Sequence, residues 1–336
     1  MTSSTLFVHV GSPHHGVTRY GMALAAAARG SRPTRAVRLR PPDHLGPLAD
    51  ALAATAPSVV HLQFTDGLFG ASPASAAARG RQILRAARPH LTAVTFHDIP
   101  ASAPTDAVQL ARVATYREIA LAADLVVVCS RHEAACLRRI ADVDPHVIPH
   151  FVPERPHPPA APVGGVGVLG HIYPGKGHVT VIEACSNLDP TVGMMALGGP
   201  SPGHEGLAAE LLRTARRLGV PLHIAGWIDD EALDGHMAQI AVPVVSNSHS
   251  SASGSLASWL GAGRRPLAAS GPYVEEVASR APGCLTTYDP GEPGGLACAI
   301  EVALADPDAT RQEAVPDELR PVAIAERYAE LFEAAA

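Results

Sequence analysis

The chain has 336 residues, of which 47% are hydrophobic, and it carries a formal net charge of −6. That length is too great for one ordinary domain and predicts two, each with a sizeable core. The acidic balance argues against a polybasic face, so we expect no nucleic-acid partner, and no run approaches the roughly 20 apolar residues that a membrane span needs.

In the first half of the chain, short β-rich runs alternate with alanine- and leucine-rich helical runs. Strands are predicted at 5–10, 36–39, 59–64, 91–96, 125–129 and 147–148. Helices are predicted at 16–28, 45–54, 74–87, 107–122 and, after a Ser130 cap, up to residue 140. Strands separated by helices of this length predict a parallel, doubly wound sheet.

A segment with five prolines, residues 153–165, then interrupts the alternation and is predicted to be a hinge. Beyond it, strands are predicted at 166–170, 192–197, 221–225, 242–246, 266–269 and 284–287. Helices are predicted at 177–186, 203–218, 230–239, 254–262, 273–280, 292–305 and 321–335. The predicted organisation is therefore a first domain (1–152), the hinge (153–165), a second domain (166–312) and a C-terminal segment (313–336) whose helix could pack back on the first domain. Two such sheets joined by a hinge predict a ligand cleft at their carboxyl edges.

The segment 170–177, with the sequence GHIYPGKG, is the most informative one in the second half. It joins an apolar strand to a helix, and a glycine-rich turn at a helix N-terminus is a ready anion site. Lys176, the only lysine of the chain, adds a full positive charge there. The segment nearly matches a P-loop, but Gly177 replaces the Ser or Thr that holds magnesium, which disfavours an NTPase. The other interpretation is a plain strand-to-helix turn with a solvated lysine.

A second candidate cradle lies at Ser253, Gly254 and Ser255, just before an apolar helical run. Serine hydroxyls and free N–H groups at a helix start can hold an oxyanion, although a plain serine N-cap explains the same residues. Two cradles in one domain suit a diphosphate better than a single phosphate. Arg264 and Arg265 follow the helix and would either supply charge to the ligand or lie solvated at the helix C-terminus.

Polar residues also follow the strands of the first half. His97 comes directly after the run TAVTF and precedes Asp98. It would orient a substrate hydroxyl or help to move a proton, or else be a turn histidine that Asp98 fixes. His14 and His15 lie in a glycine-bounded loop before the first helix.

Neither the histidines nor the cysteines form a recognisable metal motif. The 17 histidines are scattered and the five cysteines contain no C-x-x-C pair. An odd number of cysteines and an N-terminus without the features of a signal peptide lead us to expect a cytoplasmic protein with reduced thiols. The usage of alanine, arginine, proline and glycine is typical of a high-GC bacterium.

Seven segments taken in order resemble a known family. They are GVTRY, VVHLQFTDGLFG, TFHDIP, LVVVCSRHEA, VIPHFVP, GHIYPGKGH and SASGSLASWLGAGRRPL. With the proline-rich hinge among them, they resemble the retaining GT-B glycosyltransferases, a superfamily that includes glycogen synthases, sucrose synthases and bacterial mannosyltransferases. The resemblance implies an α/β fold of two Rossmann-like, doubly wound parallel-sheet domains that face each other across a cleft. It also implies sugar transfer from a nucleoside diphosphate with retention at the anomeric carbon.

The resemblance also implies roles for individual residues. His97 and Lys176 would be the catalytic residues, with His97 near the transferring sugar and Lys176 at the donor diphosphate. The donor-binding set comprises Gly16, His171, Lys176, Gly177, Gly226, Ser250, Ser253, Gly254, Ser255, Leu256 and Ser258. Acceptor-side candidates are His14, His15, Asp66, Asp98 and Arg131. No metal and no cofactor besides the nucleotide-sugar co-substrate are expected, because Lys176 and helix N-termini would neutralise the leaving group.

Two departures from the family pattern affect the donor site. The usual pair of glutamates eight residues apart is replaced by Ser250 and Ser258, and His171 stands where an arginine is expected. A replacement cation would come from Arg264, Arg265 or Arg131. The leading hypothesis is a glycosyltransferase that acts on a small-molecule acceptor in specialised metabolism. The alternatives are a catalytically inactive nucleotide-sugar-binding homologue and a GT-B-fold epimerase, and whether the chain forms a homodimer stays open.

Overall fold

A computed structural model describes residues 4–30, 32–41, 44–100, 106–157, 165–247, 252–312 and 314–336. The chain forms two compact units. The first contains residues 1–151 and 317–336, and the second contains residues 152–316. The last helix of the chain therefore belongs to the first unit.

The strands and helices alternate throughout the described residues. The strands are β1 (Thr5–Val10), β2 (Thr34–Leu39), β3 (Val59–Phe64), β4 (Leu91–Phe96), β5 (Leu125–Val128), β6 (His146–Val147), β7 (Val166–Leu169), β8 (Met194–Leu197), β9 (Leu222–Ile224), β10 (Val242–Val245), β11 (Leu267–Ala269) and β12 (Thr286–Tyr288). The helices are α1 (Gly16–Arg29), α2 (Gly46–Thr55), α3 (Asp66–Phe69), α4 (Pro73–Ala87), α5 (Ala107–Ala122), α6 (Arg131–Ile140), α7 (His178–Cys185), α8 (Leu207–Leu218), α9 (Asp230–Gln239), α10 (Gly254–Gly261), α11 (Pro272–Arg280), α12 (Gly295–Ala305) and α13 (Pro321–Ala335). The predicted elements are confirmed with shifts of a few residues at their ends. The sequence patterns missed the one-turn helix α3 and two short 3₁₀ turns at 307–310 and 317–319.

The first unit contains a parallel sheet with the strand order β2-β1-β3-β4-β5-β6. One face of this sheet is apolar because every second residue points to it, as Val60, Leu62 and Phe64 do on β3. Helices α2, α4, α5 and α6 cover that face with residues such as Leu48 and Ile119.

The opposite face of the first sheet lies beneath α1 and α13. Leu24 of α1 and Ile324 and Phe332 of α13 pack on it. The alternation that puts apolar residues on one face puts buried polar residues on this one. These polar residues are His9, His61, Gln63, Thr95 and His97.

The second unit contains a parallel sheet with the strand order β12-β11-β10-β7-β8-β9. The chain winds outward from β7 to β9 and then returns to β10 on the other side of β7. This is the strand order of Rossmann folds, so the prediction of a doubly wound parallel sheet is confirmed. The winding reverses between β7 and β10, which is the point where such sheets bind ligands. Within the described ranges, no helix has both the length and the apolar character that a bilayer crossing requires.

Candidate functional site

The strand order of the second unit brings the two predicted cradles to one edge of its sheet. Strands β7 and β10 are adjacent and parallel, so the loops that follow them meet. The Ser246 hydroxyl donates a hydrogen bond to the backbone oxygen of Lys176 over 3.3 Å. The Asn247 side-chain amide donates to the hydroxyl of Tyr173 over 3.2 Å. The segment 170–177 and the described residues 246–247 and 253–255, which are distant from it in sequence, therefore build one site.

The segment after β7 first continues the sheet and then turns back. The Gly170 and Ile172 amides donate to the carbonyls of Leu197 and Gly199, over 3.0 and 2.9 Å. The buried Ile172 side chain anchors this extension, and residues 173–175 form an exposed turn. After this turn the chain returns to the protein interior at Lys176.

Lys176 is almost fully buried, with a relative exposure of 5%. Its amino group donates a hydrogen bond to the hydroxyl of Ser255 over 2.8 Å. Burial lowers the pKa of this amine from 10.5 to about 8, so the amine still carries a charge at neutral pH. The interpretation of Lys176 as a solvated lysine is therefore wrong.

Within the described part of the chain, no carboxylate forms an ion pair with Lys176. A buried cation without a counter-ion is costly, and burial is the whole cause of its lowered pKa. Helices α7 and α10 both begin at this edge of the sheet, and their N-termini add partial positive charge. The site therefore has a positive charge that an anion would compensate.

Ser253 caps α10, as one of the two interpretations predicted. Its hydroxyl oxygen accepts a hydrogen bond from the amide of Leu256 over 3.2 Å, so the amide of Leu256 is occupied. The amides of Gly254 and Ser255, in the first turn of the helix, have no protein acceptor among the described residues. A serine N-cap and an anion cradle are compatible at this helix start.

Two histidines flank Lys176 and are neutral at pH 7. The pKa of His171 is lowered by burial and by the charge of Lys176. The same causes lower the pKa of His178, the first residue of α7, to about 4. His171 therefore does not replace the positive charge of the arginine that the resemblance leads us to expect.

The loop after β9 lies next to this edge of the sheet. Gly226 has a φ of +71°, and the indole of Trp227 is 51% exposed. The indole N–H donates to Asp229 over 3.1 Å, and the ring centroid of His171 lies 6.4 Å away. This loop adds an exposed aromatic face to the site.

Of the two serines that replace the family's glutamates, the structure describes Ser258. Ser258 lies half-buried in the second turn of α10, and its carbonyl accepts a bond from the Ala262 amide. Ser250 lies outside the described residues.

Arg264 does not supply the missing cation. Its buried guanidinium donates to the carbonyls of Met237, Ala241 and Thr310 and to the Thr310 hydroxyl. The suggestions that it serves the ligand or lies solvated are both wrong. Arg265 follows the C-terminal end of α10, and an eight-residue helix is about 12 Å long, so Arg265 begins far from the N-terminal cradle.

In the first unit, His97 is buried just beyond the end of β4. Its Nε2 atom lies 2.8 Å from Oε1 of Gln63, and its carbonyl accepts a bond from the hydroxyl of Tyr116. The carboxylate of Asp98 instead accepts a bond from the Thr65 hydroxyl, so the interpretation that Asp98 fixes the imidazole is wrong. Burial, with smaller effects of neighbouring histidines, lowers the pKa of His97 to about 3. The imidazole is therefore neutral at physiological pH.

The residues around the start of α1 lie at the carboxyl edge of the first sheet. His14 is exposed, and the Nδ1 atom of His15 caps α1 by accepting the amide of Val17 over 3.2 Å. Gly16 is the first residue of α1, and a Cβ atom placed there would touch nothing in the protein. Packing within the protein therefore does not require a glycine at this position.

The remaining acceptor-side candidates take part in structural contacts or lie on the surface. Asp66 accepts two hydrogen bonds from Arg112, over 2.7 and 3.1 Å. Asp98 has a φ of +53°, an uncommon backbone conformation for a residue other than glycine. Arg131 is the exposed first residue of α6.

No protein-family model matches this sequence, and no curated protein sequence matches it. Solved structures do match over nearly the whole chain. A sucrose-phosphate synthase from Thermosynechococcus elongatus is 18% identical and has a TM-score of 0.72, and the match covers 99% of this chain and 98% of that chain. A glycosyltransferase from Rickettsia africae is 15% identical, with a TM-score of 0.69 and coverages of 99% and 98%. HepE from Anabaena, in complex with UDP and glucose, is 17% identical, with a TM-score of 0.66 and coverages of 99% and 97%.

The chain has the GT-B fold. These structural neighbours of the GT-B chain are glycosyltransferases, and structures of one of them contain UDP or UDP-glucose. The predicted likeness to GT-B proteins is thereby confirmed at the level of the fold.

Several polar residues of this GT-B chain were not selected from the sequence. They are His61, Thr95, Ser246 and Tyr328. The sequence contains a pattern that points to the strand residues, because His61 and Gln63 are two positions apart, as are Thr95 and His97. Polar residues at a spacing of two in otherwise apolar strands lie on one face of a sheet. No group of three or more His, Cys, Asp or Glu side chains in the described segments is arranged to hold a metal ion.

The substitution Gly177→Ala is expected to destabilise the second unit of the GT-B chain by about 3 kcal/mol. Gly177 has a φ of +90°, and a Cβ atom there would overlap the carbonyl oxygen of Ser246. Gly203 provides a matched control, because its φ is +82° and its Cβ position is open, so Gly203→Ala should cost only about 1 kcal/mol. Both tryptophans lie in the second unit, so denaturant titration with tryptophan fluorescence measures the two losses. Equal losses in the two variants would contradict the close packing of segment 170–177 on β10.

Proposed function

We propose that this protein is a glycosyltransferase that moves a sugar from a nucleoside diphosphate to a small-molecule acceptor, with retention at the anomeric carbon. The observation that carries the proposal is the buried amino group of Lys176, which has no carboxylate partner in the described residues and lies where two helices begin. A diphosphate is the ligand that would compensate this charge. The solved structures of HepE with UDP and UDP-glucose, which share the fold, support this choice of ligand.

The donor site would act mainly on the leaving group. As the bond between the anomeric carbon and the phosphate oxygen breaks, negative charge develops on the nucleoside diphosphate. Lys176 and the amides at the starts of α7 and α10 would stabilise that charge, which is the reason to propose a metal-independent reaction. The acceptor oxygen would form the new bond to the anomeric carbon on the face that the leaving group vacates, and the departing phosphate would take its proton.

The remaining donor contacts would come from the loop after β9. The exposed indole of Trp227 and the open backbone at Gly226 offer a surface for the nucleobase. Ser258, half-buried in α10, would face the ribose by its resemblance to the family pattern. The first unit would place His97 at the transferring sugar and would supply the acceptor side, with His14 and His15 before α1 among its contributors. We propose a role in specialised metabolism and a cytoplasmic location on the sequence arguments alone.

A panel of nucleotide sugars tests the proposed function. Purified protein is titrated by calorimetry with UDP, GDP, ADP and dTDP and with their glucose or mannose conjugates, and hydrolysis or transfer is followed by mass spectrometry in the presence of EDTA. We expect one base to be preferred and donor turnover to persist with EDTA. Absence of binding for every nucleotide would overturn the proposal, and turnover that requires a divalent metal would overturn its metal-independent form.

A second candidate function is that of a nucleotide-sugar-binding protein without transferase activity. The replacement of a family glutamate by Ser258 favours it, because a serine cannot supply the same charged contact to the sugar nucleotide. Tight binding of a nucleotide sugar without hydrolysis or transfer to any acceptor would support this candidate over an active enzyme.

A further inference from the structure

A chain of buried hydrogen bonds in the first unit runs from the C-terminal helix to His97. The hydroxyls of Tyr328 and Thr95 are 3.0 Å apart, and the Thr95 hydroxyl is 2.8 Å from Nε2 of His61. The same Nε2 atom lies 3.2 Å from Nε2 of Gln63, and Oε1 of Gln63 lies 2.8 Å from Nε2 of His97. All five side chains are at least 96% buried.

The orientation of the Gln63 amide sets the donor and acceptor roles along these hydrogen bonds. The amide oxygen of Gln63 can only accept, so Nε2 of His97 must carry a proton and donate it. The amide nitrogen of Gln63 can only donate, so Nε2 of His61 must accept. The Thr95 hydroxyl then shares the single lone pair of this nitrogen with the Gln63 amide, and its oxygen accepts from the hydroxyl of Tyr328.

We propose that Gln63 is a positioning residue for His97, and that the hydrogen bonds of His61, Thr95 and Tyr328 hold the side chain of Gln63 in place. The inference rests on the proposed function, in which His97 contacts the transferring sugar. It deepens that function by assigning which ring nitrogen of His97 meets the ligand.

The proton on Nε2 leaves Nδ1 of His97 with a lone pair. Among the described residues, Nδ1 has no hydrogen-bond partner. His97 would therefore accept a hydrogen bond from a substrate hydroxyl and would not donate one. If the amide of Gln63 were reversed, Nδ1 would carry the proton and would donate to a substrate oxygen instead.

The polar composition of this sheet face indicates that the hydrogen-bonded side chains do more than fill the core. On the opposite face the same strands place apolar residues such as Leu62 and Phe96, and Thr92 at the start of β4 is the only polar residue of these two strands there. Helix α1 also leaves room for these hydrogen-bonded side chains, because a Cβ atom on Gly21 would lie 2.7 Å from both Gln63 and His9. Apolar residues would fill this space without any need for matched donors and acceptors, so the polar residues point to a role in orienting His97.

The tautomer of His97 can be measured directly. Protein labelled with ¹⁵N in its histidine rings is examined by long-range ¹H–¹⁵N NMR, and His97 is assigned by its absence in His97→Gln. We expect the proton of His97 on Nε2 in the wild type and a mixture of tautomers in Gln63→Met. In Gln63→Glu, a carboxylate oxygen still accepts from His97, so the proton should stay on Nε2. A wild-type proton on Nδ1, or an unchanged tautomer in Gln63→Met, would overturn the inference.

Transfer kinetics provide the second measurement. Gln63→Met and Thr95→Val are expected to lower kcat by about tenfold while the KM for the donor changes by less than threefold. Thr115→Val is the matched control, because it also removes a buried hydroxyl from the first unit but lies between α4 and α5, away from His97. Equal effects of Thr95→Val and Thr115→Val would overturn the role of the hydroxyl chain. If the wild type transfers no sugar, the proposed function fails, and the NMR result alone decides the positioning of His97.

Discussion

Replacing Lys176 with methionine should lower kcat for sugar transfer by about 10²- to 10³-fold and weaken binding of the nucleoside diphosphate. Methionine has a similar length and no charge, so the variant removes the one buried cation of the donor site while filling the same space. The measurement is a comparison of kcat, KM and the calorimetric Kd for the nucleotide between the wild type and Lys176→Met. Arg217→Met is the control, because it removes a charge from the exposed surface of α8 in the same unit.

The same substitution should leave the protein more stable. Burial lowers the pKa of Lys176 from 10.5 to about 8, which corresponds to about 3 kcal/mol of unfavourable free energy at neutral pH. Loss of the hydrogen bond to Ser255 offsets about 1 kcal/mol of the gain. A residue whose replacement stabilises the fold and abolishes nucleotide binding contributes to ligand binding at a cost in stability. A Lys176→Met variant that binds and turns over donor like the wild type, or that unfolds more easily, would contradict this account.

Mild acid should unfold the first unit before the second. His9, His61 and His97 are buried in the first unit, and burial lowers their pKa values to about 4, 3 and 3. The unfolded state therefore binds more protons than the folded state below pH 6.5, so stability is complete above that pH and is lost as the pH falls. Protonation of each histidine in the unfolded state should lower the free energy of unfolding by about 2 kcal/mol between pH 7 and pH 5. The three together approach the whole stability of an ordinary domain.

The two units can be followed separately during acidification. Both tryptophans belong to the second unit, so tryptophan fluorescence reports that unit alone. A brief hydrogen-exchange pulse followed by mass spectrometry reports β3 and β4 of the first unit. We expect β3 and β4 to lose protection between pH 6 and pH 4.5 while the fluorescence stays native.

His9→Leu should move this acid transition to lower pH, because neither ring nitrogen of His9 has a partner among the described residues. His146→Gln, which changes an exposed histidine of the same unit, should leave the midpoint unchanged. Simultaneous loss of both units, or an unchanged midpoint in His9→Leu, would contradict the assignment of acid sensitivity to the buried histidines.

The sequence predicted the alternation of strands and helices, the parallel sheets and the location of the phosphate cradle. These features depend on local periodicity and on turn residues, which are visible in short segments such as 166–177. The burial of Lys176 and its bond to Ser255 were not predictable, because they depend on the pairing of β7 with β10 across more than 70 residues. The same reason applies to Arg264, whose three carbonyl acceptors come from α9, the residue before β10 and the segment after α12.

The polar face of the first sheet illustrates a second limit of prediction from the sequence. The spacing of His61 and Gln63, and of Thr95 and His97, was visible in the sequence. Their connection to Tyr328 depends on the C-terminal helix, which returns to the first unit after the whole second unit has been built. Sequence order alone does not reveal that contact.

Titration of Lys176 shows whether its buried amine binds a nucleoside diphosphate. Protein labelled with ¹³C at the lysine Cε position gives one Cε signal, because Lys176 is the only lysine, and its chemical shift follows the charge of the amine. We expect a midpoint at about pH 8 in the free protein and a rise to about 9 or higher with saturating nucleoside diphosphate, because a bound anion favours the charged amine. A midpoint near 10.5 in the free protein, or one that stays at about 8 with every nucleoside diphosphate, would contradict the assignment of Lys176 to a donor diphosphate site.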